Sequence, residues 1–515
     1  MAPVAVPAIQ VCPDGSAPVT VPAVDTRSGE PRPGAVRTGE RDRPPDEFAA
    51  LTAVLSSFDR TVVAVDAPGT TRGGRLLVVY GRLLGPLLAG YLMFDKAFAY
   101  LHVPGAPLYI GEMLLGVGVV GVLAATGYLR IPLRDEPALA LLTLFVLWGA
   151  VRSVSGVRAY GLDAVRDAAL WYYGLFAFLA VATLARTPQL VERWLTRLRA
   201  LGPWLLLWLP VAVLLTPVSD NAPSVPASTV SILTHKPGNA AVAALLVLWY
   251  VVLFPEQIRP RWRGLWCGAA LLVIALAATQ NRGGLLGAVA GSAVGLVFLR
   301  DRVRLITRAV VASVLGLLLA VLLTPALPFT GLQGRAFSAT QLIENITSLD
   351  GTDAPTDSNL NGTVDGRTEL WTRILAKQVD DGLLVEGSGF GPNLAAQVGV
   401  LDNGKESLRS PHNSHLNVLA RMGLIGIGLW IALWMGWYAT VIIGCRRLIR
   451  RGLHRRARVG VLTLTVVTAI LVSSFFDPQL EGPQIAILLW TVFGVGVTVA
   501  SSRRWFAGLP TAVDR

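Results

Sequence analysis

The chain carries five histidines, and two of them, His412 and His415, fall in the stretch SPHNSHLNVLARMGLIG at 410–426. An imidazole near its ordinary pKa can accept a hydroxyl proton at neutral pH, which is the task of a general base. The i, i+3 spacing predicts that both rings project from one side of a helix, with Asn413 capping that helix or holding a neighbour. Each histidine can equally be read as a hydrogen-bonded interface residue, and for His415 that reading is preferred. Gly423 and Gly426 form a small-residue face that lets a helix pack closely and so seats the histidines.

Cations recur where apolar segments begin. ATQNRGGLLGAVAG sets Arg282 in a tight turn between two such segments, where an ionisable group is costly. It reads as a phosphate ligand at a helix start, with the two glycines letting an anion approach the backbone, or else as a snorkelling side chain. THKPGNAAVAALL puts Lys236 and Asn239 at another helix start, a pattern that plain capping also produces. In YGLDAVRDAALWYYG, Arg166 between Asp163 and Asp167 reads first as an internal ion pair and second as an anion ligand.

VDGRTELWTRILAKQVDDGLLVEGSGFG predicts an amphipathic helix followed by a glycine-rich reversal. Trp371, Ile374 and Leu375 share one face, and Arg367, one turn before Trp371, is a further candidate diphosphate ligand. Just upstream, Asp357, Asn359, Asn361, Gly362 and Asp365 match the early positions of a calcium loop. The closing carboxylate is displaced, with Thr368 in its place and Glu369 one residue late. The stretch therefore reads as a flexible polar loop, with weak calcium binding the alternative, and no other metal site is expected. Cys12, Cys267 and Cys445 are far apart and read as unpaired thiols.

The elements that must position these groups are membrane helices. The 515 residues are 53% hydrophobic and only 15% charged, with a mean hydropathy of +0.55; a soluble chain would carry about a quarter charged residues. The expectation is an all-α polytopic membrane protein of about twelve spans. They are placed near 76–94, 108–127, 138–153, 166–185, 201–217, 238–254, 264–280, 283–299, 306–325, 413–444, 458–475 and 484–501. Residues 1–73, rich in Pro, Gly, Asp and Arg, read as a disordered tail without a signal peptide. Spans one to nine fill 74–325, a large loop follows at 326–411, three more spans fill 412–501, and 502–515 form a second tail.

The net charge of +12 comes from arginines beside apolar segments, so membrane orientation explains it better than nucleic acid does. Arginine-rich connectors alternate with poor ones, as in CRRLIRRGLHRRAR. The positive-inside rule then puts both termini in the cytoplasm and the 326–411 loop outside. Arg158, Arg166, Lys236, Arg282, Arg335, Arg367, Arg373 and Arg409 are left on the outer side, together with His412 and His415. Orientation does not account for these cations.

His412-Asn413, nine residues, then Gly423-Leu424-Ile425-Gly426 resembles the H-N-x9-G-x-x-G signature of the O-antigen ligase and Wzy-type polymerase superfamily. The large loop with GRTELW, the GSGFG turn and the QNRGG turn are similar as well, and the likeness covers roughly 76–501. It implies a cofactor-free, metal-independent inverting glycosyltransferase of cell-surface polysaccharide biosynthesis, in the cytoplasmic membrane. The donor would be an undecaprenyl-diphosphate-linked glycan. The acceptor would be a glycan, lipid or protein hydroxyl, with membrane lipids as surroundings. His412 would be the general base or acceptor-orienting residue. Arg282 and Arg367, helped by Lys236 and Arg166, would stabilise the diphosphate. Lys236 stands where many members have arginine, which keeps the charge but loses the bidentate fork. A ligase, a polymerase and a protein O-glycosyltransferase would share this site. A lipid-linked glycan transporter would show repeated halves and charge deeper in the bundle, and neither is evident.

Overall fold

The computed structural model describes residues 72–102, 108–125, 136–226, 228–299, 358–399 and 409–501, without the side chains of 217, 220 and 358–365. In chain order the helices are α1 (Arg72–Ala99), α2 (Ile110–Ala124), α3 (Pro137–Tyr160), α4 (Leu162–Asp167), α5 (Ala169–Tyr172), α6 (Leu175–Arg186) and α7 (Leu190–Leu215). They continue with α8 (Pro237–Leu253), α9 (Pro260–Gln280), α10 (Arg282–Val297), α11 (Ser358–Asp380), α12 (Leu394–Gln397), α13 (Ser414–Arg450), α14 (His454–Ser473) and α15 (Pro483–Ala500). Among the described residues the only extended pairings are two isolated bridges, His102–Tyr109 and Ser224–Ser231.

Among the described residues, seven helices, α1, α3, α7, α9, α13, α14 and α15, are long and apolar enough to cross a bilayer. The α4–α5 segment and α6 together make one more candidate, bent by 48°. Helices α2, α8 and α10 are apolar but shorter. The protein is thus an all-α polytopic membrane protein. A helix stands at every expected span position except 306–325, which lies outside the described residues. So do residues 1–71 and 502–515, Arg335, and the first part of the large loop.

Helix α8 forms the centre. Every residue from Pro237 to Leu253 is buried, against α7, α9, α10 and α14. A helix that is apolar all round has no face reserved for water. Its 17 residues span about 25 Å, short of a hydrocarbon core of about 30 Å, and protein rather than lipid surrounds it. Helix α10 closes on α14 through small residues: a Cβ on Gly287 would lie 2.5 Å from Ala469 O, so the two backbones meet directly. On the other side, Trp434 of α13 stacks on Trp490 of α15 at 5.6 Å between centroids, and Trp437 Nε1 donates to Phe493 O at 3.0 Å.

The helix ends collect at two poles. One is arginine-rich: Arg455 grips Glu192 with Nε and Nη2 at 3.0 and 2.6 Å, and Arg458 reaches Glu256 at 3.0 Å. The opposite pole carries His412, and two spanning helices are broken near it. In α1, Asp95 has φ 44° and ψ −116°. In α13, Gly423 has φ 67°. Irregular backbone at such depth survives only where protein satisfies its polar groups, and both breaks meet that condition.

Candidate functional site

The break in α13 is filled by the segment that follows α11. Leu424 N donates to Leu384 O at 2.9 Å, and Ser388 N and Gly389 N donate back to Ala420 O and Arg421 O at 2.8 and 3.0 Å. Trp148 Nε1 takes Met422 O at 2.8 Å. A Cβ on Gly423 would stand 2.1 Å from Val385 O, so this glycine serves a positive φ and a backbone crossing. The close approach at Gly423 is to the 384–389 segment rather than to a neighbouring helix. Gly426 is buried, with Trp148 3.6 Å from an added Cβ.

His412 precedes α13 on a bend, half-buried, with φ 53°. Left-handed backbone is uncommon for a residue other than glycine, although histidine is among the enriched types. The strain is of order 1–3 kcal/mol and persists only where neighbours over-determine it. Asn413 caps α13 as expected, its Oδ1 accepting from His415 N and Leu416 N at 3.0 and 3.1 Å. The two histidines do not share a helix side, because His412 is off the helix. His415 is bound on both nitrogens: Trp430 Nε1 donates to Nδ1 at 3.0 Å, and Nε2 faces Leu471 O at 2.9 Å. That pattern fits the neutral tautomer with its proton on Nε2, and Phe475 covers the ring at 4.1 Å. His415 is a support between helices.

Two of the cations, Lys236 and Arg367, meet at the loop between α14 and α15. Lys236 Nζ lies 3.4 Å from Asp477 Oδ1. Arg367 Nη1 donates to Phe476 O at 3.0 Å. Arg282 opens α10, and its neighbour Gly283 packs on Phe476, whose Cβ would lie 2.6 Å from an added Cβ. Ser414 Oγ donates to Asp477 O at 3.3 Å, bringing the His412 segment to the same loop. A Cβ on Gly283 would meet Phe476 and one on Gly284 would meet Gly238, and Gly284 N donates to Asn281 Oδ1 at 3.0 Å.

Charge balance follows from this geometry. Asp477 raises the Lys236 pKa above the ordinary lysine value, with burial opposing it. Burial lowers the Arg367 pKa, and Asp477 counters that. Asp95 fixes the start of α8 from outside, accepting from Lys236 N and Asn239 Nδ2, each at 2.7 Å. Asn239 Oδ1 in turn accepts from Gln479 Nε2 at 3.2 Å.

Arg166 does not join this cluster. It is exposed on α4, and the expected internal pair with Asp163 or Asp167 is replaced by arginines from the distant segment. Arg409 reaches Asp163 and Asp167 at 3.3 and 3.2 Å. Arg421, 1% exposed, holds Asp167 at 3.0 Å and donates from Nε to Asn417 Oδ1 at 3.0 Å. Asn417 Nδ2 then donates to Glu481 Oε1 at 2.8 Å. Burial raises the Glu481 pKa above the ordinary carboxylate range, while Ser410 and Arg421 oppose it. Arg158 is exposed as well, and Arg373 pairs within its own helix with Glu369.

The amphipathic helix is present as α11. Leu370 and Ile374 pack with Leu394, Ala395 and Ala420. Of the calcium-loop residues, Asp357 lies outside the described residues and Asn359, Asn361 and Asp365 have no described side chains; from Ser358 the backbone is helix rather than a flexible loop. An apolar cavity of about 350 Å³ lies among α1, α7, α8, α14 and α15, lined by Pro86, Leu198, Leu246, Val466 and Leu488. It also touches Arg197, toward the arginine-rich pole, and is not the polar centre.

Sequence reasoning passed over Asp95, Arg421, Asp477 and Glu481. A signal was available for each. YLMFDKAF and NVLARMGLIG each set a charge inside an apolar run, and SSFFDPQLEG sets two acids at a span boundary.

No curated protein matches the chain. Residues 267–431 match the family model described as O-antigen ligase. The matched stretch begins in α9 and ends in α13, so it takes in Arg282, Arg367 and the whole His412-to-Gly426 segment. Over that stretch the match supports the resemblance to the O-antigen ligase and Wzy-type polymerase superfamily.

Proposed function

We propose that the protein transfers a glycan from an undecaprenyl-diphosphate carrier to an acceptor hydroxyl on the outer face of the cytoplasmic membrane. The observation that carries this reading is the convergence of Lys236, Arg367 and the start of α10 on the Phe476–Asp477 loop, to which the His412 segment is also fastened. Cleaving a glycosyl–diphosphate bond builds negative charge on the leaving group, which preorganised cations stabilise. Arg282, Arg367 and Lys236 are assigned to the diphosphate. Arg166, exposed on α4, is left as a guide for the approaching anion.

His412 accepts the acceptor hydroxyl proton as the oxygen attacks the anomeric carbon. The bond to the diphosphate breaks on the opposite face, giving inversion. The arginine-rich pole is the cytoplasmic one by the positive-inside rule, which puts the His412 pole outside and both termini inside. The ligase reading is put first; a polymerase or a protein O-glycosyltransferase would use the same groups, and product length with an acceptor panel separates them.

The test is reconstitution with a fluorescent undecaprenyl-diphosphate glycan. His412→Gly keeps the left-handed backbone accessible and removes the base, so transfer is expected to fall about 10²–10⁴-fold, with partial recovery on adding free imidazole. Arg282→Gln is expected to slow diphosphate release. Full transfer by folded His412→Gly would remove the proposed mechanism.

A further inference from the structure

Each residue around His412 is fastened to a different element. Arg409 is held by Asp163 and Asp167 of α4. Ser410 is hydrogen-bonded to Glu481, before α15. Pro411 O accepts from Trp371 Nε1 of α11 at 2.7 Å. Asn413 caps α13, and Ser414 N donates to Ser474 O at 2.9 Å beyond α14.

The Trp371 contact differs from the others because its element also holds the cation site. Arg367 and Trp371 stand one turn apart on α11. Arg367 donates to the main chain beside Asp477, and Trp371 donates to the main chain beside His412. Leu370 and Ile374 of the same helix anchor it on Leu394 and Ala420. One rigid helix therefore sets the distance between the two loops that carry the reacting groups.

We propose that Trp371 is a positioning residue for the transfer reaction, holding His412 in its left-handed conformation through Pro411 while Arg367 registers the same helix on the diphosphate-binding loop. The inference rests on the functional reading above for its kinetic consequence, and on geometry alone for the hold on His412. Trp371 touches no reacting atom. Its indole N–H fixes a carbonyl one residue before the base, and the peptide that follows sets the direction of the imidazole.

The test uses the full chain in lipid nanodiscs, comparing Trp371→Phe, which keeps a ring and loses the N–H, with Trp371→His, which restores a ring N–H. Two readouts are taken: transfer kinetics against pH, and the rate at which diethylpyrocarbonate modifies His412 without substrate, followed by mass spectrometry. Trp371→Phe is expected to lower kcat 10- to 100-fold with the donor KM within threefold. It should also shift the pH profile and change the His412 modification rate at least threefold, and Trp371→His should recover part of kcat. A residue that only stabilises the fold would lower the unfolding midpoint and leave the pH profile and the modification rate where they were. An unchanged modification rate in Trp371→Phe overturns the proposal. If His412→Gly transfers normally while Trp371→Phe alters that rate, the hold on His412 stands and the base assignment falls.

Discussion

Lys236 Nζ lies 3.4 Å from Asp477 Oδ1, joining the start of the central helix α8 to the loop before the last one. The pair brings a cation and its counter-ion into the site before any substrate arrives. The Lys236 side chain is 35% exposed, so solvent screening limits the pair to about 1 kcal/mol or less. A lysine pKa raised on folding contributes stability that is full below the unfolded lysine value and is lost as pH rises through the folded value. Asp477→Asn is thus expected to lower the unfolding midpoint slightly at neutral pH. The difference from the parent should vanish at strongly alkaline pH, as followed by thermal unfolding in detergent.

Glu481 follows the same sign at lower pH. Burial raises its pKa, so the folded state retains its proton longer than the unfolded chain does. Stability from this group is complete below the unfolded glutamate value and falls as pH rises through the folded value. Glu481→Gln keeps an oxygen to accept from Asn417 and removes the titration. Relative to the parent, the variant is expected to gain stability as pH is raised from the acid range toward neutrality. A difference that stays flat across this range in unfolding scans would contradict the assignment.

Arg421 is buried with Asp167 as its ion partner and with Gly389 O and Pro392 O also accepting from its guanidinium. Arg421→Met leaves Asp167 with one arginine fewer in a dry site. Breaking a buried pair in this way costs about 3–5 kcal/mol. Arg421→Lys should recover little, because the fork that reaches Asn417, Asp167 and two carbonyls is lost. Detergent-solubilised yield and unfolding midpoint measure both variants.

Gly423→Ala adds a methyl at φ 67° and 2.1 Å from Val385 O. The conformational strain alone is about 1–3 kcal/mol, and the collision adds to it. The variant is expected to lose folded yield and transfer together. Gly428→Ala, five residues on, meets nothing within 4 Å and should match the parent in the same assays.

The helices were legible because length and hydropathy suffice to mark them: α1, α3, α7 and α9 fall where apolar runs predicted spans. The cap at Asn413 was legible from local spacing. What escaped was set by partners far along the chain. Nothing near Arg166 reveals that Arg409 and Arg421 take its neighbours Asp163 and Asp167. Gly423 looked like a packing residue because a sequence records small size but not the strand of chain, Leu384–Gly389, that crosses it. Asp95 and Asp477 carry no motif; each is explained only by the α8 start that they hold.

Helix α8 has a further consequence, for biogenesis. It is synthesised long before α14, which later covers it, so on leaving the insertion machinery it must first be tolerated by lipid on every side. Only afterwards does it become the interior post of the bundle. Its all-round apolar composition records that transit as much as its final place. A chain cut short after α13 would still hold α8 against α7, α9 and α10, yet would leave its α14 face uncovered and Lys236 without Asp477. Membrane insertion and assembly of the site are therefore separate events in the making of this protein.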